Sequence, residues 1–297
     1  IITAVTLAYE VFCNFSEVLY FTEKGFDDAT HCAFASAVGA GKILGLSKVA
    51  MAHAVALSIV PNMALRATRR GELSMWKGCA AGNACRNGVF AALLAAEGLT
   101  GPLNAIEERE GGLWSLLEPF KWEPFGGRGG PFRVALTNLK YYPSEYHSQA
   151  AIGAALQLHD KVEVDAIESI TVETYWMAWN GIGSEPEKWH PTTRETADHS
   201  LPYIVAAALV DGKIEPATFS EERISDPRLR ALMQRVTVGE NLEFTKQYPN
   251  LVPCRIEVVS AGGRRLVADI SYPRGHAKNP MTDAEIEDKF CRMCSSS

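Results

Sequence analysis

The densest chemistry in the chain lies in Lys140-Tyr141-Tyr142-Pro143-Ser144-Glu145-Tyr146-His147-Ser148-Gln149, where a cation and an imidazole flank a proline. Pro143 lacks a backbone N–H and disfavours helix at the residue before it, so a helix is expected to begin near Ser144 to Ser148. That start places His147 among backbone N–H groups that no preceding turn satisfies, at the positive end of a helix. Such an end attracts carboxylates and favours a neutral imidazole able to act as a base, while Lys140 adds a fixed positive charge. The same residues also fit an ordinary helix start, with His147 bonded to backbone and Lys140 in solvent.

Other polar clusters are open to plainer readings. Arg66, Arg69, Arg70, Lys77 and Arg86 surround the apolar pair Met75-Trp76, as an anion site or as a solvated face. Asp198-His199-Ser200 precedes an apolar run, where His199 or Ser200 serves as a helix cap. Tyr272 to Pro280 carries three basic side chains in what reads as a solvated turn. His53 shares a helix face with Val49, Leu57 and Val60 and reads as a hydrogen-bonded core histidine. Cys291 and Cys294 have CxxC spacing but no second pair. GGRGG at 126–130 lacks the strand and helix context of a phosphate loop. No HExxH or dinucleotide fingerprint occurs, so neither metal nor cofactor is expected.

The elements that must hold these residues follow from periodicity and punctuation. Residues 1–21 read as helix, and the Ala- and Gly-rich run Cys32 to Leu44 as a helix built for close approach to another. Ser47 is the expected N-cap of a helix that stops at Pro61. A further helix is expected over Asn83 to Glu97, burying Val89, Phe90, Leu93 and Leu94. The Pro/Gly-rich stretch 118–133 is the candidate domain boundary. Beyond it, Ile167 to Tyr175, Gln234 to Val238, Arg255 to Ser260 and Arg265 to Tyr272 alternate as strands, the last two joined by a hairpin at 261–263. Helices are expected over Gln149 to His159, His199 to Val210 and Pro227 to Gln234. Thr282-x-x-Glu285 is a capping box opening a last helix.

Bulk properties set limits. The 297 residues, 47% hydrophobic and 22% charged, suit one large or two ordinary globular domains. A net charge of −6 gives no electrostatic reason to expect nucleic acid or a polybasic membrane anchor. The apolar N-terminal stretch carries Glu10, Asn14 and Glu17 with no basic residue before them, which fits neither a signal peptide nor a membrane span. Seven scattered cysteines, an odd number, suit free thiols in a reducing compartment. A cytoplasmic location is expected, or a mitochondrial matrix one in a eukaryote.

Four blocks, GELSMWKGCAAGNACRNGVFAALLAAEGLTGP, KYYPSEYHSQAAIGAAL, HSLPYIVAAALVDGKI and YPRGHAKNPMTDAEIEDKF, together resemble the MmgE/PrpD family, most like its 2-methylcitrate dehydratase branch. The resemblance implies a large all-helical domain with a smaller α+β lid, an active site in the cleft between them, a homodimer through the helical domain and cofactor-free chemistry. On that basis residues 1–133 form the helical domain, 134–275 the lid, and 276–297 return to the helical domain. Matched residue by residue, the family's functional positions fall on Lys77, His147, Tyr203 and His31 as catalytic groups, and on Arg69, Lys140 and Ser144 as substrate-binding groups. Asp28 stands where the branch often carries a histidine. The family's first helical segment is missing before Ile1, which marks the chain as an expected fragment.

The function implied is a lyase that dehydrates 2-methylcitrate or a close tricarboxylate. His147, or a group from the missing segment, serves as base. Lys77 or Tyr203 stands near the leaving oxygen, and Lys140 and Arg69 hold carboxylates. Decarboxylation of cis-aconitate or epimerisation of a dicarboxylate uses similar anionic carbon acids, and a non-catalytic dimerisation or binding module is the alternative outside enzymes.

Overall fold

Small residues decide how the first unit is built. In the computed structural model, which describes residues 1–19, 21–127 and 129–295, it runs from Ile1 to Thr137. Tyr20, in the expected first helix, and Arg128, at the centre of the GGRGG loop, lie outside the described residues, as do Ser296 and Ser297. Among the described residues four long helices carry the unit: α1 (Ile2–Val18), α2 (Ala29–Leu44), α3 (Lys48–Ile59) and α4 (Trp76–Ala96). Ser47 caps α3, its hydroxyl accepting the N–H of Ala50 at 3.2 Å. His53 on α3 is bonded to the backbone of Gly101, at 3.2 Å from its carbonyl oxygen.

The expectation for α4 needs two corrections. The helix starts at Trp76, ahead of Asn83, and its apolar stripe faces outward. Val89, Phe90 and Leu93 are 42%, 59% and 46% exposed, while Ala80, Ala84, Gly88, Ala91, Ala92 and Ala95 form the buried face. The reason is the distance to α2. A Cβ on Gly88 would stand 2.2 Å from the carbonyl oxygen of Ala33, so only small residues fit between the two helices.

The second unit, from Asn138 onward, is α+β and is the longer of the two. Its strands are β1 (Ile167–Thr174), β2 (Val236–Glu240), β3 (Cys254–Ser260) and β4 (Arg264–Ile270), in spatial order β2-β1-β3-β4. Ile170 of β1 pairs in parallel with Val236 of β2 and antiparallel with Val258 of β3. The β3–β4 pair is the expected hairpin, with Ser260 opposite Arg264. Alternate residues of β1 and β3 (Ile170 and Val172, Ile256 and Val258) enter one core with Ile152 and Leu158 of α5 (Gln149–His159) and Ile204 and Val205 of α6 (Leu201–Asp211). Helix α6 begins two residues later than His199 because Ser200 is its cap, accepting the N–H of Tyr203 at 3.2 Å.

The two compact units divide after Thr137, and Arg133 is anchored in the first by Glu10 at 3.1 Å and Glu17 at 2.9 Å. Residues after Gly275 group with the second unit. The Ala277 N–H donates to Asn138 Oδ1 at 2.9 Å, and Arg274 is paired with Glu285 of the last helix, α7 (Asp283–Ser295). The Thr282–Glu285 capping box is formed: the Thr282 N–H donates to Glu285 Oε2 at 2.7 Å and the Glu285 N–H to Thr282 Oγ1 at 3.3 Å.

Candidate functional site

One carboxamide shapes the Lys140–Gln149 segment. Gln149, 1% exposed, accepts the N–H groups of Tyr141 and Tyr142 on its Oε1 at 3.0 and 2.9 Å. Its Nε2 donates to Ser144 Oγ at 3.0 Å and to the Tyr142 carbonyl at 3.2 Å. Ser148 donates to the carbonyl of Glu145, so the 2.7 Å contact between the two serines is Ser144 donating to Ser148. Ser144 is 3% exposed and its hydroxyl is engaged in this turn. Lys140 is exposed, and its carbonyl accepts the ammonium of Lys289. Burial, then Lys140 and Arg292, hold the Lys289 amine below its ordinary range.

His147 sits in a 3-10 turn, Tyr146–Ser148, that leads into α5. The backbone N–H that the sequence left open to a substrate carboxylate is taken by the chain's own Glu145, whose Oε2 lies 2.5 Å away. The other Glu145 oxygen is 3.9 Å from His147 Nε2. On the far side of the ring, Nδ1 lies 2.5 Å from the hydroxyl of Tyr175. Tyr175 is fully buried, and its ring stacks on that of Tyr248 with centroids 4.4 Å apart at 8°. Burial, with Glu145 and Tyr248 adding, pushes the Tyr175 phenol far above its usual range. Burial raises Tyr146 to about 12, and its hydroxyl has no partner among the described residues. The imidazole therefore has aromatic groups and one carboxylate around it and remains 20% exposed. The Glu145 N–H donates to the Asp198 carbonyl at 3.0 Å, which brings the Asp198-His199-Ser200 segment against the turn.

Tyr203 lies inside α6 with no exposed surface, and its hydroxyl donates to the Thr218 carbonyl at 2.6 Å. Burial raises its pKa to about 12.

In the first unit, Arg69 ends a 3-10 turn and pairs with Asp27, its Nε and Nη2 at 2.9 and 2.8 Å from Asp27 Oδ1. The same oxygen accepts the N–H of Ala29 at 2.7 Å, so Asp27 joins the guanidinium to the start of α2. His31, one turn further along α2, is 1% exposed among the rings of Phe12, Phe15 and Phe21. Ser16 Oγ, which donates to the Phe12 carbonyl, stands 3.2 Å from His31 Nδ1, so Nδ1 carries the proton and Nε2 is a buried acceptor with no partner among the described residues. Burial lowers the His31 pKa to about 4. Lys77 is half-buried in the first turn of α4.

The structure thus gathers Lys140, Ser144 and His147 in one segment. It adds Glu145, Tyr175 and Tyr248, which the sequence reading did not single out. Glu145 carried a local signal, an acidic residue at the expected helix start. Tyr175 carried none, since it reaches His147 only through the fold of the sheet. A cavity of about 540 Å³ between Tyr141–Pro143, the Gly212–Ala217 loop and α7 contains none of the candidate residues in its wall. Among the described residues no three His, Cys, Asp or Glu side chains converge as metal ligands, and no disulfide is formed.

Comparison with known proteins gives matches over both units. The MmgE/PrpD N-terminal domain matches residues 1–124, and the MmgE/PrpD C-terminal domain matches residues 142–297. A 2-methylcitrate dehydratase of Salmonella typhimurium is 28% identical over 87% of the chain and 55% of its own length. That of Escherichia coli K12 is 26% identical over 98% of the chain and 62% of its own length. A fungal alkylcitrate dehydratase is 26% identical over 98% of the chain and 60% of its own length. The chain spans little more than half the length of these relatives.

Proposed function

Since the chain belongs to the MmgE/PrpD family, we propose that it is a hydro-lyase acting on 2-methylcitrate or a close tricarboxylate by acid–base elimination. The observation that carries this reading is that the matching relatives are named 2-methylcitrate or alkylcitrate dehydratases and match across nearly the whole chain. Elimination of water needs a group to take the carbon-bound proton, a donor for the departing hydroxyl, and cations for the carboxylates. In this reading Lys140 and Arg69 hold carboxylates, with Ser144 shaping the turn that follows Lys140. His147 works at the reacting carbon or oxygen together with Lys77; Tyr203 and His31, which the resemblance also implies as catalytic, are buried and offer a substrate no surface in this chain. Lys140 fits its role best, being an exposed cation in the same short segment as the partly exposed imidazole of His147.

The test is to offer the purified chain 2-methylcitrate, citrate, cis-aconitate and iminodisuccinate and to identify products by NMR. Formation of 2-methyl-cis-aconitate supports the reading. Itaconate would instead mark a decarboxylase and a stereoisomer of iminodisuccinate an epimerase, while no turnover with any of them would sink the enzymatic reading of this chain. Lys77→Ala and His147→Ala should each lower turnover by roughly 10²–10⁴-fold.

A homodimer through the helical unit belongs to the same proposal, supported by the outward apolar side chains of α4. Light scattering on the wild type and Phe90→Glu tests it: a monomeric wild type would end it. A cytoplasmic or mitochondrial-matrix location is likewise proposed. A relative from Yarrowia lipolytica is named as mitochondrial, and no helix among the described residues is long and apolar enough to cross a membrane.

A further inference from the structure

We propose that Tyr175 fixes the neutral imidazole of His147 with its proton on Nε2, so that His147 meets substrate as a hydrogen-bond donor and another group serves as base. The assignment to substrate chemistry rests on the hydro-lyase reading; the tautomer does not.

The argument starts from a buried hydroxyl. Tyr175 has no exposed surface, so its O–H must donate within the protein or be left buried and unsatisfied. Among the described residues, the acceptor within reach is His147 Nδ1, at 2.5 Å. If Nδ1 carried the proton it would donate to the phenol oxygen, and the phenolic hydrogen would be left buried without an acceptor. The favourable arrangement is Tyr175 donating to the Nδ1 lone pair, which leaves the proton of the neutral ring on Nε2. The phenol keeps its hydrogen throughout the working range, since burial pushes its ionisation far upward.

The opposite edge of the ring agrees independently. Nε2 faces Glu145 Oε1 at 3.9 Å, and a carboxylate there favours an N–H over a lone pair. Glu145 is not free to turn away, because its other oxygen holds the N–H of His147 at 2.5 Å. The stack of Tyr248 on Tyr175 holds the phenol in place.

A ring in this state has one lone pair occupied and a proton where the other would be. It cannot accept a proton from carbon. It can donate to a carboxylate or to the departing hydroxyl, as fixed donors do at developing negative charge. Tyr175 is then a positioning residue, and the proton is abstracted by a different side chain.

The tautomer is read directly on the full chain, labelled with ¹⁵N-histidine, by long-range ¹H–¹⁵N correlation above neutral pH. His147 is identified by the signal lost in His147→Gln. The expected spectrum shows protonated Nε2 and bare Nδ1, and Tyr175→Phe shifts it toward a mixture. A wild-type spectrum with the proton on Nδ1 overturns the proposal, as does a Tyr175→Phe spectrum identical to wild type.

Activity supplies the second arm, because glutamine places its amide nitrogen near Nε2 and asparagine near Nδ1. With 2-methylcitrate, both variants should lose turnover, but His147→Asn should lose about 10²–10³-fold more in kcat than His147→Gln at similar KM, the usual loss for a missing donor. Equal loss in both variants would make His147 a base and overturn the donor role. If no substrate turns over in the wild type, the hydro-lyase reading and the donor role built on it both fail, and the tautomer still stands or falls on the spectrum.

Discussion

Gly88 of α4 lies so close to Ala33 of α2 that an added Cβ would meet the Ala33 carbonyl oxygen at 2.2 Å and Ser36 Oγ at 2.4 Å. The Ala33 oxygen and the Ala37 nitrogen, 2.9 Å away, are backbone and can yield only if the helices move apart. Gly88→Ala should therefore destabilise the first unit by about 1–3 kcal/mol or more, the usual cost of overpacking. Gly82, on the same helix, has nothing within 4 Å of its added Cβ. Gly82→Ala should stabilise by roughly 0.5–1 kcal/mol. Denaturant unfolding of the two variants with opposite signs checks the pair, and equal effects would show that the helices are not in close contact.

His31 gives the first unit a pH dependence. Burial holds its folded pKa at about 4, against an ordinary value of 6.5. The unfolded chain binds a proton between these values and the folded chain does not, so stability falls as pH drops from 6.5 to 4. The loss amounts to about 3 kcal/mol at its limit. His31→Leu should flatten the melting temperature over that window, and a slope unchanged from wild type would assign the effect to other groups.

Gln149 satisfies the N–H groups of both Tyr141 and Tyr142. In Gln149→Ala those donors lose their acceptor, at about 1–3 kcal/mol. Hydrogen exchange should speed up across residues 140–149 and leave the β3–β4 hairpin unchanged. Uniform acceleration of both would mean global destabilisation.

The capping carboxylate of α7 titrates low. The Arg274 guanidinium, then the N–H of Thr282, holds Glu285 at about 2, against an ordinary 4.5. Its stabilisation is complete above 4.5 and is lost as pH falls toward 2. Proteolytic nicking of residues 283–295 should rise over that interval, and Glu285→Gln should be nicked readily at neutral pH. Resistance in the variant would place the anchoring of α7 elsewhere.

Punctuation made much of the fold legible. Ser47 announced α3, the glycines at 262 and 263 announced the hairpin, and Thr282 with Glu285 announced α7. The face of α4 was not legible, because residue size and not polarity decided which side went inward. The Ala/Gly-rich run on α2 carried the relevant hint, and it applied equally to α4. At the site, Lys140 and His147 stood out by type and spacing. The partners that give His147 its character did not: Tyr175 follows the end of β1, and its approach depends on the sheet. Asp27 was likewise silent in the sequence, although it fixes Arg69 from far along the chain.

The strand order carries a kinetic consequence. The β3–β4 hairpin joins residues adjacent in sequence, whereas β1 finds both of its neighbours only after long stretches of chain have closed, Ile170 meeting Val236 and Val258. Pairings of high contact order form slowly. Tyr175 directly follows β1, so the partner of the His147 ring arrives with the last pairings and not the first. In pulse-labelled refolding, the amides of the hairpin should gain protection before those of β1, and the imidazole environment would then report completion of the second unit.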